Sequence, residues 1–141
     1  MRISNGAVNS GGYRHVRLNT GGKYINVKIH QLVSKAFLEN PDAKRYVDHI
    51  DNDRANNNVN NLRWATRGEN NRNASVRKDN KSGVKGVFWD NKKNKYVSYI
   101  NIDGVRIHLG VFDNLEDTKQ ARIQRANEVF GVFTNSCEKI I

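Results

Sequence analysis

Residues 46–73 read YVDHIDNDRANNNVNNLRWATRGENNRN. Two short β-prone runs, YVDHI and LRWA, bracket the polar stretch DNDRANNNVNN. Thr66, with Glu69 three residues on, has the spacing of a capping box and predicts a helix over TRGENNRN. The expected order is therefore strand, loop, strand, helix. Asp48 and His49 are adjacent on the first strand and so point to opposite faces. Asn61 closes the loop, and Asn70 and Asn71 lie together on the helix. The many asparagines between Asn52 and Asn73 suit a loop whose side chains bond backbone groups.

N-terminal to this segment, Tyr13, His15 and Arg17 alternate with Arg14, Val16 and Leu18, and Tyr24, Asn26 and Lys28 alternate with Ile25, Val27 and Ile29. NTGG lies between the two runs, so they predict a β-hairpin with one apolar and one basic face. From His30 the period lengthens. Leu32, Val33, Ala36 and Phe37 predict one side of a helix that stops before Pro41.

C-terminal to it, ASVRKDNKSG (74–83) is polar and basic, with a linker placed at 76–82. VKGVFW, KYVSYINI and VRIHLGVF predict three strands separated by DNKKN and DG. Asn114, followed by Glu116 and Asp117, opens a helix that ends at Gly131 and docks through Ile123, Ala126 and Phe130. Tyr96, Ser98, Ile100, Ile102, Ile107 and Leu109 are expected to face that helix. Val97, Tyr99, Asn101, Arg106 and His108 are expected on the open, basic face.

The whole is an α+β chain. A hairpin and helix lead into the central segment, and a three-stranded antiparallel sheet packed by one helix follows. Domains are expected at 1–75 and 83–134, with a tail over 135–141. At 141 residues and 37% hydrophobic, the chain suits two small modules with much exposed surface. A net charge of +10 attracts polyanions, nucleic acid first. A single cysteine, Cys137, excludes an internal disulfide framework and a Cys-based zinc site. No apolar run is long enough to span a bilayer and the N-terminus lacks a secretion signal, so an intracellular protein with no membrane partner is expected.

Cutting a phosphodiester needs a base for the attacking water and a cation for the developing charge. His49 can serve as the base. Asp48 offers a hard oxygen for Mg²⁺ or Mn²⁺, and Asn70 or Asn71 a second one. His30 could be read as another ligand, but its place at the start of a helix suits a structural role. Trp64 is expected in the core.

HQLVSKAFLENP, VDHIDND, NNNVNNLRWAT and ENNRN together resemble the HNH nuclease family over residues 12–73, especially its homing-type and phage-type members. The resemblance implies a ββα-metal fold over 46–73. His49 would be the general base, Asp48 and Asn70 the ligands of one divalent metal ion, and Asn61 the residue that constrains the loop. Asn in place of a final His argues for Mg²⁺ or Mn²⁺ over Zn²⁺. Residues 81–133 are similar to the APETALA and ethylene-response-factor DNA-binding domain. Lys85, Arg106 and His108 match its contact positions, while Phe88, Tyr99 and Asn101 stand where it has charged residues.

These resemblances imply a DNA endonuclease of phage or mobile-element type acting on double-stranded DNA. As a monomer it would nick one strand, leaving 5′ phosphate and 3′ hydroxyl, and as a homodimer it could cut both. Arg14 and Arg17 on the hairpin, with Lys85, Tyr99, Asn101, Arg106 and His108 on the sheet, are the expected DNA contacts. The alternative is a non-catalytic DNA-binding regulator on a nuclease-like scaffold.

Overall fold

The computed structural model describes residues 6–138. The first and last residues of the predicted domains and tail, 1–5 and 139–141, lie outside the described residues. The chain forms two compact units that divide between Asn70 and Asn71. The architecture is α+β, with small antiparallel sheets and short helices.

In the first unit, β2 (Arg14–Thr20) and β3 (Lys23–Lys28) form the hairpin, with Val16 opposite Val27 and Leu18 opposite Ile25. Gly21 and Gly22 both adopt positive φ, +66° and +91°, which a two-residue turn of matching twist requires. A short strand not expected from the sequence, β1 (Ala7–Val8), extends the sheet beside β2. The apolar face of the hairpin is not a core face along its whole length. Leu18 and Ile25, near the turn, remain exposed.

Helix α1 (Ile29–Phe37) also turns differently from the expectation. His30 and Ser34, one turn apart, are its buried residues, whereas Leu32 is 36% and Phe37 74% exposed. A polar pair thus occupies the inner stripe, and His30 packs there against the rings of Tyr13 and His49. Strands β4 (Tyr46–His49) and β5 (Leu62–Ala65) pair antiparallel, placing Asp48 opposite Arg63 and His49 opposite Leu62. Leu62 and Ala65 are buried, and the half-buried Trp64 donates its indole N–H to the Leu38 carbonyl at 3.2 Å.

Helix α2 (Arg67–Asn73) follows β5 directly. Its start is a reciprocal cap. The Thr66 N–H donates to Glu69 Oε2 at 2.6 Å, and the Glu69 N–H donates to Thr66 Oγ1 at 3.2 Å. Lys44 donates to the other oxygen of Glu69 at 3.1 Å.

In the second unit, β6 (Val87–Asp90), β7 (Lys95–Ile102) and β8 (Val105–Phe112) form an antiparallel sheet with β7 central. Helix α3 (Leu115–Phe130) covers one face. Ile100, Ala126 and Phe130 make its core, with Ile102, Leu109 and Val129 against them. A register shift at Ser98/Tyr99 interrupts the ladder between β7 and β8.

Two facing assignments change. Val97, expected on the open face, is buried, because Phe88 and Val111 flank it on the neighbouring strands. Ile107, expected under the helix, is 36% exposed on an edge strand.

The buried stripe of α3 also holds Thr118 and Arg122. The Arg122 guanidinium meets Glu138 at 3.1 Å, with both side chains buried. The Thr134 hydroxyl donates to the Ala126 carbonyl at 3.1 Å, which fastens the segment after α3 onto that helix. No helix among the described residues is long and apolar enough to cross a membrane.

Candidate active site

Asp48, His49, Asn61 and Asn70 all lie in the first unit, delivered by β4, the loop before β5, and α2. Pairing with β5 fixes the two faces of β4. Asp48 is buried, and Arg63, its cross-strand partner, reaches one carboxylate oxygen, Oδ2, with Nε at 2.8 Å and Nη2 at 2.7 Å. A charge-assisted pair of this kind holds a carboxylate in one orientation.

His49 is also buried, and its Nε2 lies 3.2 Å from Asn57 Oδ1. The Asn57 amide nitrogen donates to the Ala55 carbonyl, which turns the amide oxygen toward the imidazole. An amide oxygen at Nε2 suits the tautomer that carries its proton there.

Around His49 stand two further rings. His30 packs edge-on at a centroid distance of 5.0 Å, and Tyr13 lies 6.1 Å away, tilted. Tyr13 and His30 also touch, at 5.1 Å. Burial, then the neighbouring His49 and Lys28, push the His30 imidazole down to about 4, so it is neutral across the physiological range. His30 Nδ1 is buried with no hydrogen-bond partner among the described residues. These contacts place His30 as an uncharged wall against His49.

Asn61 binds the loop together. Its amide oxygen accepts from the Asp51 N–H at 3.1 Å, and its amide nitrogen donates to Asp51 Oδ1 at 2.8 Å and to the Asn56 carbonyl at 2.9 Å. The Ile50 N–H donates to the Asn61 carbonyl at 2.9 Å. Desolvation alone would raise the Asp51 carboxyl, but bonds from Asn56, Asn61 and the Asp53 N–H together hold it below the usual carboxylate range. An anion at Asp51 therefore anchors the loop that follows His49.

Asn70 is half-buried on α2, while Asn71 is exposed. No group of three or more His, Cys, Asp or Glu residues with metal-holding geometry occurs among the described residues. The donor chemistry is that of an anionic carboxylate and a neutral amide oxygen, which suits a hard cation that keeps water and phosphate oxygens in its shell.

Of the expected DNA contacts, Tyr99, Asn101, Arg106 and His108 share one face of the second unit. Tyr99 pairs with His108 and Asn101 with Arg106, and the Arg106 guanidinium lies 4.3 Å over the Tyr99 ring. Lys85 is placed otherwise, its ammonium donating to the Arg72 carbonyl at 2.8 Å. Arg14 and Arg17 are an odd number of residues apart on β2 and so lie on opposite faces of the hairpin.

Reading the sequence missed Tyr13, Arg63, Asp51 and Asn57, and left His30 between a ligand and a structural place. The signal for Arg63 was available in the strand register, since it sits opposite Asp48. For Tyr13 no local signal distinguished it from any other aromatic residue on a hairpin.

The model of the HNH endonuclease family matches residues 27–72. The chain is 35% identical over 91 residues to "Uncharacterized HNH endonuclease L245" of Acanthamoeba polyphaga mimivirus, covering 64% of this chain and 28% of that protein. It is 40% identical over 55 residues to "DNA endonuclease I-HmuI" of Bacillus phage SP01, covering 39% and 32%. It is 34% identical over 71 residues to "Protein 3.8" of Escherichia phage T7, covering 50% and 59%. The chain thus spans less than two thirds of the length of these relatives, and no solved structure matches it. Residues 27–72, the segment similar to HNH endonucleases, hold Asp48, His49, Asn61 and Asn70.

Proposed function

We propose that the chain is a metal-dependent endonuclease that hydrolyses phosphodiester bonds of double-stranded DNA. The observation that carries this is the delivery of a buried, Asn57-bonded His49 and an Arg63-bonded Asp48 by one strand, ahead of the helix bearing Asn70, inside the HNH segment. His49 takes a proton from water, whose oxygen attacks phosphorus, and the bond to the 3′ oxygen breaks, that oxygen taking a proton from solvent to become the 3′ hydroxyl. A divalent cation, Mg²⁺ or Mn²⁺, held by Asp48 and Asn70 would supply charge neutralisation at the phosphate.

Asn61 keeps the loop closed, and His30 and Asn57 keep the imidazole oriented. The products are a 5′ phosphate and a 3′ hydroxyl, and one site in a monomer nicks one strand. The open face of the second unit holds duplex DNA through Arg106 and His108 on phosphates and Tyr99 and Asn101 on bases. The likeness of residues 81–133 to the APETALA and ethylene-response-factor domain supports this. The viral and phage relatives support an origin in a phage or mobile element.

Incubating supercoiled plasmid with the protein, with and without Mg²⁺ or Mn²⁺, beside His49→Ala tests the reading. Metal-dependent nicking by the wild type and its loss in the variant are expected. Equal cutting by both would remove His49 as the base. A gel shift with no cutting under any condition would make the chain a DNA-binding regulator instead.

A further inference from the structure

Tyr13 carries two cations on its ring. Lys28 Nζ lies 4.5 Å and the Arg54 guanidinium carbon 5.0 Å from the centroid. Lys28 ends β3 and Arg54 sits in the loop after β4, and Nη1 of Arg54 is held at 2.9 Å by the Gly11 carbonyl. Both cations are exposed, and neither forms a salt bridge among the described residues. Each ring contact is worth about 0.5–1 kcal/mol at an exposed site, and the two like charges repel across it. A phosphate oxygen that reaches either cation offsets that repulsion and gains a charge-assisted bond.

The Tyr13 ring that carries this pair lies 6.1 Å from the His49 ring. A water activated by His49 must sit within about 3 Å of the imidazole, so the scissile phosphate lies close to His49. Successive phosphates of one strand are spaced closely enough for a neighbour of the scissile phosphate to come within reach of Tyr13.

We propose that Lys28 and Arg54, held on Tyr13 beside His49, form a clamp for a DNA phosphate flanking the scissile one. The proposal rests on the nuclease reading of the same site, and it extends the DNA contacts to residues of the HNH unit itself. The clamp is a binding device. It positions the strand without taking part in the bond changes.

The test is binding of the full chain to a mixed-sequence duplex without divalent metal, measured against salt. Lys28→Gln with Arg54→Gln should lower the slope of log affinity on log salt by about 0.9, one phosphate contact. Lys35→Gln, an exposed lysine on α1, removes a charge away from the ring and should leave the slope unchanged. Tyr13→Leu keeps both charges but removes their anchor, and should weaken binding less than the double substitution. In plasmid cutting the double variant should raise KM and leave kcat near wild type, since uniform binding is lost.

An unchanged slope, an equal fall in Lys35→Gln, or no duplex binding at all overturns the clamp. A fall in kcat at unchanged KM would place the cations on the scissile phosphate and overturn its flanking role. If the slope falls while the wild type cuts nothing, the nuclease reading fails and the phosphate contact stands.

Discussion

The ring of His30 stands edge-on to that of His49, with centroids 5.0 Å apart and planes at 80°. The second imidazole is buried and uncharged, so it constrains the first without competing for its proton. The arrangement ties the stability of the HNH unit to pH. In the unfolded chain His30 titrates near 6.5, and in the folded unit burial, His49 and Lys28 lower it to about 4. Its contribution is full above pH 6.5, is lost as pH falls from 6.5 to about 4, and changes no further below that. The loss is about 3 kcal/mol over the window. Urea unfolding at pH 7 and pH 4.5 should show it in the wild type, and His30→Phe should flatten the difference while keeping an aromatic wall.

Arg63 and Asp48 face each other across β4 and β5 with both charges largely out of water. Arg63→Ala removes one partner of that pair and should cost about 3 kcal/mol in metal-free buffer. If Asp48 holds a divalent ion, adding Mg²⁺ or Mn²⁺ should recover more thermal stability in Arg63→Ala than in the wild type. Equal metal responses in melting curves would remove Asp48 as a ligand.

The cap of α2 positions Asn70. Burial would raise the Glu69 carboxyl, but bonds from the Thr66 N–H, Lys44 and the Thr66 hydroxyl outweigh it and hold the group below the usual carboxylate range. Thr66→Ala should cost about 1 kcal/mol in chemical denaturation. In the proposed nuclease it should also lower the rate of plasmid cutting, and Thr66→Ser should restore both.

Gly86 sits at φ +67° with the Tyr99 carbonyl oxygen 2.1 Å from where a Cβ would be. Gly86→Ala should destabilise the second unit by at least about 2 kcal/mol, through strain and collision together. Gly83, at φ +75°, has nothing within 4 Å of that position. Gly83→Ala should therefore cost about 1 kcal/mol, from backbone strain alone. Thermal melts of the two variants compare the terms.

Much of this architecture is written in local patterns. Thr66 and Glu69 announce the start of α2 because a cap is made between residues three apart. The Gly21–Gly22 turn and the alternation beside it announce the hairpin for the same reason. The order of Asp48, His49, Asn61 and Asn70 marks the HNH segment, since spacing along the chain carries the motif.

Packing decided what local pattern leaves open. On α1, apolar spacing pointed to Leu32 and Phe37, yet His30 and Ser34 lie inside, because the side that is buried depends on what the rest of the unit presents. Arg122 reads as a surface residue of a charged helix, and only the return of Glu138 onto α3 gives it a buried partner. By itself the sequence determined the strand, loop, strand, helix order and the residue types available for chemistry. The tertiary structure alone decided that Tyr13 and His30 meet at His49, because residues 17 or more positions apart are brought together by sheet register and helix rotation, which no local period encodes.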